Sequence, residues 1–412
     1  MSKWEKKSIE EISEFVGGGS TPSTKNENYW GGKVNWLTPS DVTGLNNKIF
    51  VETTSRTITE EGLDNSSAKL YEPGTILMTS RATIGKPVIN RTPMATNQGF
   101  INFKIRNDIA DPIFVAYWIK LNENNISNMG TGSTFKEISR GKFKTIQIPI
   151  PPLPTQKKIA YILSTIQSKI ENIDKQIESY TDLKKSVMER LFTKGLKGGK
   201  QKETEIGLIP ESWEVVELGE VYAFTSKPKG KRMKNVIPFI PMNLIPDDSD
   251  LHVSEYETRD KVSSGTYFEN GDLLVAKITP SFENGKQAIV NIDRDCGYAT
   301  TEVIPIKSTE KANNKFLYYF LKQRKIRNKL AGKMEGTTGR QRLNKTVLQK
   351  QKMPLPDIME QIEISNIFES YDKKISILKT KKERHTDLFN SMLHKLMNQE
   401  IEVENLQFNI NS

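Results

Sequence analysis

Pro152–Phe192 reads PLPTQKKIAYILSTIQSKIENIDKQIESYTDLKKSVMERLF, and this stretch decides the fold of the chain. After Pro154 it contains no further proline, and no glycine occurs before Gly195. Its apolar residues recur at steps of three and four, which is the spacing of a single stripe along a helix, close to a heptad seam. Such a helix is expected to be about 50–55 Å long. An apolar seam of that length needs a partner helix.

A matching stretch lies near the other end of the chain. Pro354–Pro356 is followed by apolar residues at the same steps, and Gln156 aligns with Gln361 when the sequence is shifted by nearly half of its 412 residues. The chain is therefore predicted to be an internal duplication, which says more about its architecture than any single motif. The predicted seam between the two helices consists of Ile159, Ile166, Ile170, Ile173, Ile177, Ile364, Ile367, Tyr371, Ile375 and Leu378.

The composition is that of a globular protein with more than one domain. A chain of 412 residues, of which 36% are hydrophobic and 27% charged, has the length for two or three domains. It contains neither the roughly 20 consecutive apolar residues of a membrane span nor the apolar core of a signal peptide, so we expect a cytoplasmic protein. One cysteine, Cys296, and three histidines exclude a disulfide framework and a Cys/His zinc cluster, and we expect no metal site.

The charge of the chain favours a polyanionic partner. The net charge is +10 and the isoelectric point is about 9.2, which favours nucleic acid over a membrane surface. Many lysine-rich cytosolic proteins bind no nucleic acid, so the placement of the basic residues carries more weight than their number.

Two globular segments are joined to the long helices. In the first, apolar runs such as Phe100–Phe103 are separated by Gly and Pro, which indicates mostly β structure. Asp111-Pro112 is predicted to begin a helix that ends at Leu121, with Asp as the N-cap and Pro at the first helical position. The predicted organisation is a first globular domain at residues 1–151, a first long helix at 152–195, a linker and second globular domain at 196–353, a second long helix at 354–400 and a tail at 401–412.

The second globular segment repeats the first. Trp213-Glu214 echoes Trp4-Glu5, and Gly285 echoes Gly85. The two halves differ most where loops are expected. Two recognition modules that read different targets would show this pattern, and so would neutral drift of surface loops after a duplication.

Catalytic signatures are absent from the sequence. Gly85-Lys86 is followed by Pro87, so it does not belong to a phosphate-binding Gly-x-x-x-x-Gly-Lys-Ser/Thr loop. No Gly-x-Ser-x-Gly elbow occurs, and Cys296 has no histidine near it in the sequence. We therefore predict no catalytic residue and no cofactor bound by this chain.

Basic and hydroxyl residues gather beside the predicted loops of both halves. Cationic and hydroxyl groups bind phosphate, while Arg, Asn and Gln read base edges at short range. For any single residue the alternative is an ordinary lysine-rich surface, but the set recurs at matching places in both halves and favours DNA contact. The candidate DNA-binding residues are Thr79, Ser80, Arg81, Lys86, Ser133, Thr134, Lys136, Arg140, Lys231, Arg232, Lys277, Thr279, Lys286, Thr338, Arg340, Gln341 and Arg342.

The order of these motifs resembles that of a known family. Each half has a globular segment, a Pro-Leu-Pro run, a glutamine and a long helix, and the first half contains Ala95–Gln98 and Ile148–Leu153. This layout resembles the specificity subunit of Type I restriction–modification systems, and the resemblance covers essentially the whole chain. The second half departs from the pattern, because Thr301-Glu302 stands where the first half has Asn-Gln and Gly339–Leu343 lacks the usual Ile-Ser.

The resemblance implies an α+β fold with two mixed, β-rich target-recognition domains. Two long helices would separate them, packed as an antiparallel coiled coil, and the whole would be a pseudo-two-fold internal duplication. It further implies a non-catalytic subunit that binds double-stranded DNA, in which each domain reads one half of a bipartite target and the helices set the spacing. Two methylation subunits would dock on it and restriction subunits would join for cleavage. S-adenosylmethionine, ATP and Mg²⁺ would be bound by those partners.

Two other classes of protein remain open from the sequence. One is a self-sufficient enzyme, such as a methyltransferase or nuclease fusion, against which the missing motifs argue. The other is a non-catalytic coiled-coil scaffold without DNA specificity. The salt dependence of DNA binding separates a DNA-binding specificity subunit from such a scaffold, because a protein that contacts phosphates loses affinity steeply as salt rises, whereas a scaffold has no duplex binding to lose.

Overall fold

The chain forms two compact units. The computed structural model describes residues 4–45, 48–132, 136–229, 236–247, 250–337 and 339–403. Unit 1 comprises Met1–Asp174 and Lys381–Ser412, and unit 2 comprises Lys175–Thr380. The two halves of each long helix therefore belong to different units, whereas the sequence predicts separate helical segments at 152–195 and 354–400.

Unit 1 is built around two small sheets. Its elements are β1 (Glu5–Ser8), α1 (Ile9–Ile12), β2 (Ser13–Gly18), β3 (Trp30–Leu37), α2 (Pro39–Gly44), β4 (Phe50–Val51), β5 (Thr57–Ile58), α3 (Glu60–Asp64), β6 (Ile76–Thr79), β7 (Pro87–Asn90), β8 (Met94–Thr96), β9 (Phe100–Ile105), α4 (Pro112–Leu121), α5 (Glu123–Asn128), α6 (Arg140–Lys144), β10 (Gln147–Ile150) and the first half of α7 (Leu153–Lys194). A five-stranded sheet has the order β2-β9-β6-β7-β4, a three-stranded sheet has the order β5-β3-β8, and β1 pairs with β10.

The local sequence signals of unit 1 are confirmed by its elements. The apolar run Phe100–Phe103 lies in β9, an inner strand of the five-stranded sheet. The predicted short helix is α4, and Asp111 is its N-cap. The Asp111 carboxylate accepts hydrogen bonds from the main-chain N–H groups of Ile113 at 2.9 Å and Phe114 at 3.0 Å. Pro112 occupies the first helical position, where a main-chain N–H has no partner within the helix, so its absence in proline costs no hydrogen bond.

Unit 2 has the same plan with a larger second sheet. Its elements are β11 (Gln201–Thr204), β12 (Gly207–Pro210), β13 (Glu214–Glu217), α8 (Leu218–Val221), β14 (Ala223–Phe224), β15 (Ile237–Ile240), β16 (His252–Val253), β17 (Glu257–Arg259), β18 (Thr266–Glu269), β19 (Leu273–Ala276), β20 (Gln287–Val290), β21 (Cys296–Ala299), β22 (Val303–Lys307), α9 (Asn314–Lys322), α10 (Arg324–Ala331), β23 (Glu335–Thr337), β24 (Arg340–Arg342), α11 (Lys345–Gln349), β25 (Lys352–Leu355) and the first half of α12 (Ile358–Met397). The sheets have the orders β14-β22-β19-β20-β16 and β17-β15-β21-β18, and β13-β25, β11-β12 and β23-β24 form two-stranded pairs.

Strand register shows that the two units repeat one framework. β1 pairs antiparallel with β10 so that Glu5 faces Ile150, and β13 pairs antiparallel with β25 so that Glu214 faces Leu355. In the larger sheets β6 lies between β7 and β9, just as β19 lies between β20 and β22. The predicted internal duplication and the α+β fold class are confirmed.

A buried glutamine ties the start of each long helix to the neighbouring short helix. The Gln156 side-chain oxygen accepts a hydrogen bond from the main-chain N–H of Asp111, the N-cap of α4, at 2.8 Å. The Gln361 side-chain oxygen accepts one from the main-chain N–H of Asn313, the N-cap of α9, at 2.9 Å. Both side chains are fully buried, and their amide N–H groups donate to main-chain carbonyls, so each glutamine is satisfied at both ends.

The long helices pack antiparallel within unit 1. Lys158, near the start of α7, donates to the main-chain oxygen of Val403, just beyond the end of α12, at 3.2 Å. Further along α7, Asp174 pairs with Lys382 of α12 at 2.6 Å. Because the residue number rises along one helix as it falls along the other, the two helices run in opposite directions.

The same arrangement holds within unit 2. Lys184 of α7 forms an ion pair with Asp372 of α12. Beyond the end of α7, the main-chain N–H of Leu196 donates to the carboxylate of Glu360 at 3.0 Å. The helices are therefore antiparallel in this unit as well.

The residues of the predicted seam differ in burial. Ile159, Ile170, Ile173, Ile364 and Leu378 are buried, whereas Ile166, Ile177, Ile367, Tyr371 and Ile375 are partly exposed. The apolar stripe also faces the short helices of each unit: the Tyr117 ring of α4 lies 5.6 Å from the Phe389 ring, and the Phe316 ring of α9 lies 5.2 Å from the Phe192 ring. Each half-helix thus belongs to the core of its unit as well as to the helix pair.

The second long helix begins later than its proline-rich entry suggests. Residues Lys352–Leu355 form β25, and the Asp357 carboxylate accepts a hydrogen bond from the main-chain N–H of Glu360 at 2.9 Å, so helix α12 begins at Ile358. Across the described ranges, no helix has the length and apolar character needed to cross a membrane.

Candidate nucleic-acid interface

Four loop segments of unit 1 meet at one edge of its sheets. The main-chain N–H of Ser20 donates to Thr96 O at 2.9 Å, and the N–H of Ser80 donates to Gly99 O at 2.7 Å. The N–H of Ile138 donates to Ser80 O at 3.1 Å. These bonds join the segments 17–21, 80–86, 96–99 and 136–140, which we call edge 1.

Edge 1 presents two arginines beside small residues. The Arg81 Nε lies 2.9 Å from a carboxylate oxygen of Glu137, and both side chains are more than 40% exposed. The exposed Arg140 lies against Gly18, where an added Cβ would come within 3.8 Å of the guanidinium carbon. Asn97, which is partly exposed, and Gln98, which is exposed, add amide groups at the same edge. Guanidinium and amide groups are the side chains that bind phosphates and read base edges.

Two hydroxyl candidates of edge 1 have internal roles instead. The sequence places Thr79 and Ser80 among the DNA contacts, but their exposures are 0% and 2%. The Thr79 hydroxyl donates to the main-chain oxygen of Thr83 and accepts from the N–H of Lys86 at 3.1 Å, so it holds the turn between β6 and β7. All four residues of β6, Ile76–Thr79, are buried, and Ser80, which follows the strand, is buried too, so exposure begins only at Arg81.

The remaining candidates of edge 1 are placed as follows. Lys86 is partly exposed and lies 3.7 Å from Glu123, so it belongs to the α5 side of the loop. Lys136 is exposed. Ser133 and Thr134 lie outside the described residues.

Unit 2 builds an equivalent edge, in which two of the main-chain bonds of edge 1 recur. The N–H of Lys277 donates to Glu302 O at 2.9 Å, and the N–H of Leu343 donates to Lys277 O at 2.7 Å. The N–H of Thr279 donates to Gln341 O at 3.0 Å. The segments 277–286, 300–302, 335–337 and 339–343 form edge 2, in which Lys277 occupies the place of Ser80.

A two-stranded ribbon rises from edge 2. Strands β23 and β24 pair with Thr337 opposite Arg340, and five of the six strand residues are exposed, Gln341 being partly buried. Gly339 has a φ of +83°, the left-handed conformation that glycine adopts without strain, at the turn of the ribbon. A ribbon of this kind has the width that the major groove of B-DNA admits.

An open groove runs beside the ribbon. Its volume is about 510 Å³, and it contains polar and charged side chains from several elements. Residues that line it are Thr225, Thr266, Lys277, Val303, Ile304, Pro305, Glu335, Arg342, Leu343, Asn344 and Lys345.

Arg342 is held at the rim of this groove by Glu302. The Nε of Arg342 donates to one carboxylate oxygen of Glu302 at 2.9 Å and the Nη2 donates to the other at 2.8 Å. The Arg342 guanidinium and the charge of nearby Lys277 lower the pKa of the Glu302 carboxyl below its ordinary value, so this side chain is an anion near neutral pH. The pair is a bidentate, charge-assisted contact.

Other candidates of edge 2 have structural partners. The Lys286 amine donates to the main-chain oxygens of Met242 at 3.2 Å and Ile245 at 2.8 Å, so it fastens a loop inside the unit. The Thr279 hydroxyl accepts from the N–H of Gln341 at 3.0 Å and secures the ribbon. Arg340 is exposed near the turn of the ribbon. Lys231, Arg232 and Thr338 lie outside the described residues.

Sequence reasoning missed the acidic members of both edges. Neither Glu137 nor Glu302 is a candidate by sequence, because cationic side chains are the ones expected to contact DNA, and only the Thr301-Glu302 departure from the Asn-Gln pattern points to one of them. It also missed an aromatic cluster in unit 1, where the Arg56 guanidinium lies 4.0 Å from the centre of the Trp30 ring and 5.2 Å from that of Trp36. Across the described part of the chain, no group of three or more His, Cys, Asp or Glu residues is arranged to hold a metal ion.

Comparison with known proteins identifies the family. The chain belongs to the Type I restriction modification DNA specificity domain family, whose model matches it twice, at residues 1–179 and at residues 210–384. The resemblance inferred from the sequence motifs is thereby confirmed.

Curated relatives carry related names. The chain is 35% identical over 224 residues to the Type I restriction enzyme MjaIX specificity subunit of Methanocaldococcus jannaschii, a match over 53% of this chain and 51% of that protein. It is 30% identical over 330 residues to the MjaVIII specificity subunit of the same organism, over 75% of this chain and 74% of that protein. The chain therefore matches about half the length of the first of these relatives and three quarters of the second.

The fold matches solved structures over nearly its whole length. A crystal structure of the Type-I restriction-modification system S subunit from M. genitalium superposes with a TM-score of 0.60 at 16% identity, covering 95% of this chain and 96% of that one. A chain from a structural study of type I R-M complex assembly superposes with a TM-score of 0.52 at 16% identity, covering 96% and 98%. At this identity the likeness concerns the fold alone.

Proposed function

We propose that this chain is the DNA-reading specificity subunit of a Type I restriction–modification complex, in which each unit reads one half of a bipartite target. The observation that carries the proposal is the pair of equivalent edges with unequal side chains. Edge 1 presents Arg81 and Arg140, whereas edge 2 presents Lys277, Arg340 and Arg342. Equal frameworks with different donors are what two modules need in order to read two different base sequences.

Charge supports the choice of DNA as the partner. The chain carries a net charge of +10, and exposed cations occur at both edges. Each phosphate neutralised by a lysine or arginine releases counterions, so affinity for duplex DNA falls as salt rises, with a log–log slope of about −0.9 per contact. A coiled-coil scaffold without DNA specificity would show no such slope.

The long helices provide the second part of the proposal. Helix α7 has 42 residues and α12 has 40, and between Pro154 and Gly195 the sequence of α7 contains no residue that breaks a helix. A continuous helix is a stiff spacer. We propose that the helix pair sets the gap between the two half-sites and forms the docking surface for two methylation subunits, with restriction subunits joining for cleavage.

Chemistry is assigned to those partner subunits. The chain lacks the sequence signatures of a P-loop and of a nucleophile elbow, so we propose that it is non-catalytic and that S-adenosylmethionine, ATP and Mg²⁺ are bound by the partners. A subunit that reads genomic and invading DNA works in the cytoplasm, which is where we place it.

Selection of duplexes from a random pool tests the proposal. The purified chain, assembled with its methylation subunits, is expected to enrich sequences with two short fixed blocks separated by a constant gap, and its affinity is expected to fall steeply with salt. Enrichment of no motif, together with salt-independent or absent duplex binding, would favour the scaffold.

A further inference from the structure

The geometry of Arg342 leaves part of its guanidinium available. The Glu302 carboxylate lies along one side of the guanidinium and accepts one hydrogen bond from Nε and one from Nη2. An arginine carries five N–H donors in a rigid plane, so the end formed by Nη1 and the second hydrogen of Nη2 stays available to another acceptor. The Arg342 side chain is 51% exposed, whereas that of Glu302 is 22% exposed, so the arginine faces outward from its partner.

The surroundings fix where that end of Arg342 lies. Arg342 is the last residue of β24, and its main chain pairs with Ile278 in an antiparallel bridge. The next residue, Leu343, is 1% exposed and donates its N–H to Lys277. The buried Leu343 and the main-chain bridge therefore hold Arg342 at the rim of the protein groove. The ribbon that carries Arg342 has the width that the major groove of DNA admits.

Unit 1 repeats the pairing with different residues. By the matching main-chain bonds, Arg342 occupies the place of Glu137, and Ile278 occupies the place of Arg81. The arginine thus comes from the β6–β7 loop in unit 1 and from the ribbon in unit 2, yet both edges place a glutamate beside an arginine at the same spot. Exposed ion pairs contribute little to stability, so stability alone gives no reason for the pairing to recur there.

Guanine is the base that such a group fits. In the major groove guanine presents N7 and O6, two acceptors spaced for a bidentate arginine, and no other base pair offers two acceptors on one purine edge. A carboxylate on the side of the guanidinium fixes its plane before binding, which reduces the conformational freedom lost when the contact forms.

We propose that Glu302 orients Arg342 so that the remaining N–H donors of the arginine read a guanine in the half-site bound by unit 2. This inference rests on the proposed function. Arg342 is the specificity-determining residue, and Glu302 is a positioning residue that acts through it.

Base-substituted duplexes test the inference. The complex with its methylation subunits is titrated with duplexes in which each guanine of the two half-sites is replaced in turn by adenine or by 7-deazaguanine, which lacks the N7 acceptor. For the unsubstituted protein, one guanine is expected to be sensitive to both changes. In Arg342→Ala, that position is expected to lose about 10- to 100-fold of its discrimination, while the other half-site keeps its own.

Conservative variants separate readout from simple charge. Arg342→Lys keeps the charge but not the planar fork, so it is expected to lose guanine discrimination like the alanine variant. Glu302→Gln, which weakens the hold on the guanidinium, is expected to reduce discrimination at the same position and nowhere else. Glu257→Gln is the matched control, because Glu257 pairs with Arg259 at 2.8 Å in the same unit, away from the groove lining. It is expected to change nothing.

The outcomes distinguish the inference from the proposed function. If the unsubstituted complex shows no sequence preference, the proposed function fails. If it is sequence-specific but Arg342→Ala weakens binding to every sequence equally, Arg342 contacts phosphate and the inference is wrong. The melting temperature of each variant, measured in parallel, shows that it is folded. A folded Arg342→Ala protein with full guanine discrimination also overturns the inference.

Discussion

Lys184 and Asp372 form an ion pair between the long helices of unit 2 at a place where unit 1 has none. Their side chains are 13% and 20% exposed. When the two halves are aligned through Gln156 and Gln361, the corresponding positions in unit 1 are Phe389 and Gln167, and Phe389 packs on Tyr117. The duplicated framework has therefore been stabilised in one unit by an aromatic contact and in the other by a charged one.

Removal of Asp372 is expected to destabilise unit 2 strongly. The carboxylate also accepts a hydrogen bond from the Tyr319 hydroxyl at 2.9 Å, so Asp372→Ala leaves a lysine and a hydroxyl without their partner. Breaking one side of a largely buried pair lowers the free energy of unfolding by about 3–5 kcal/mol. Denaturant unfolding measures this loss. Asp174→Ala is the control, because the side chains of the Asp174–Lys382 pair are about twice as exposed (34% and 40%) and the variant is expected to lose about 1 kcal/mol or less. Equal losses in the two variants would contradict the account.

Replacement of Gln361 is expected to loosen the start of α12. Its side chain accepts from Asn313 N at 2.9 Å and donates to Lys311 O and Pro356 O, both at 2.9 Å. Gln361→Ala leaves these main-chain groups unsatisfied in a buried site, at a cost of about 1–3 kcal/mol for each group that water cannot reach. Gln156→Ala is expected to do the same in unit 1. Gln147→Ala, on an exposed position of β10, is the control and is expected to stay within about 0.5 kcal/mol of the unsubstituted protein. A loss as small as that of Gln147→Ala would show that the buried amide does not hold the helix start.

The stability of unit 2 is expected to depend on the ionisation of Asp272. Burial raises the pKa of the Asp272 carboxyl from 3.8 to about 6, against the hydrogen bond that Glu269 N donates to it. Because the folded pKa is the higher one, the penalty of ionising Asp272 is absent below pH 3.8 and complete above pH 6. A shift of about two pKa units corresponds to about 3 kcal/mol.

The variant Asp272→Asn checks this expectation. Its amide oxygen keeps the acceptor for Glu269 N, and it does not ionise. The difference in free energy of unfolding between this variant and the unsubstituted protein is expected to rise by up to about 3 kcal/mol, in favour of the variant, as the pH rises from 4 to 8. Urea unfolding at both pH values measures the gain. A difference between the two proteins that does not change with pH would show that Asp272 titrates normally.

Substitution of Arg81 is expected to affect one half-site only. Arg81 is 44% exposed on edge 1 of unit 1, so in the proposed complex Arg81→Ala should weaken discrimination at a position of the half-site read by unit 1, by about 1–3 kcal/mol. Binding of duplexes mutated in one half-site or the other measures it. Arg91→Ala is the matched control, because Arg91 is an exposed arginine paired with Glu52 at 3.1 Å outside the edge. Equal weakening for mutations in either half-site would argue against base readout by Arg81.

Local periodicity and turn chemistry predicted the framework well. The helix at α4 could be read from Asp111-Pro112, since an N-cap carboxylate followed by a residue without an N–H is a signal carried by the chain itself. The duplication could be read from Gln156 and Gln361 for a similar reason: each makes the same buried contacts, and those contacts require the same residue.

The candidate site was predicted less completely, because the exposure of a side chain depends on how its strand is placed in the sheet. A Thr-Ser-Arg run gives no sign of which side chain a sheet will bury, and only Arg81 of that run is exposed. The sequence alignment of Thr301-Glu302 with Asn97-Gln98 is wrong by one residue. In the parallel pairing Ala299 faces Ile240, as Thr96 faces Leu37, so Ala299 takes the place of Thr96. The strand register therefore places Glu302 where unit 1 has Gly99.

In the proposed function, this chain gives a methylation complex a split DNA target. The most direct test is methylome sequencing of a host that carries the methylation subunits, with and without this gene. The account predicts a new methylated motif of two short blocks with a gap of constant length, present only with the gene. No new motif, in a host whose methylation subunits are active with another specificity subunit, would contradict the account.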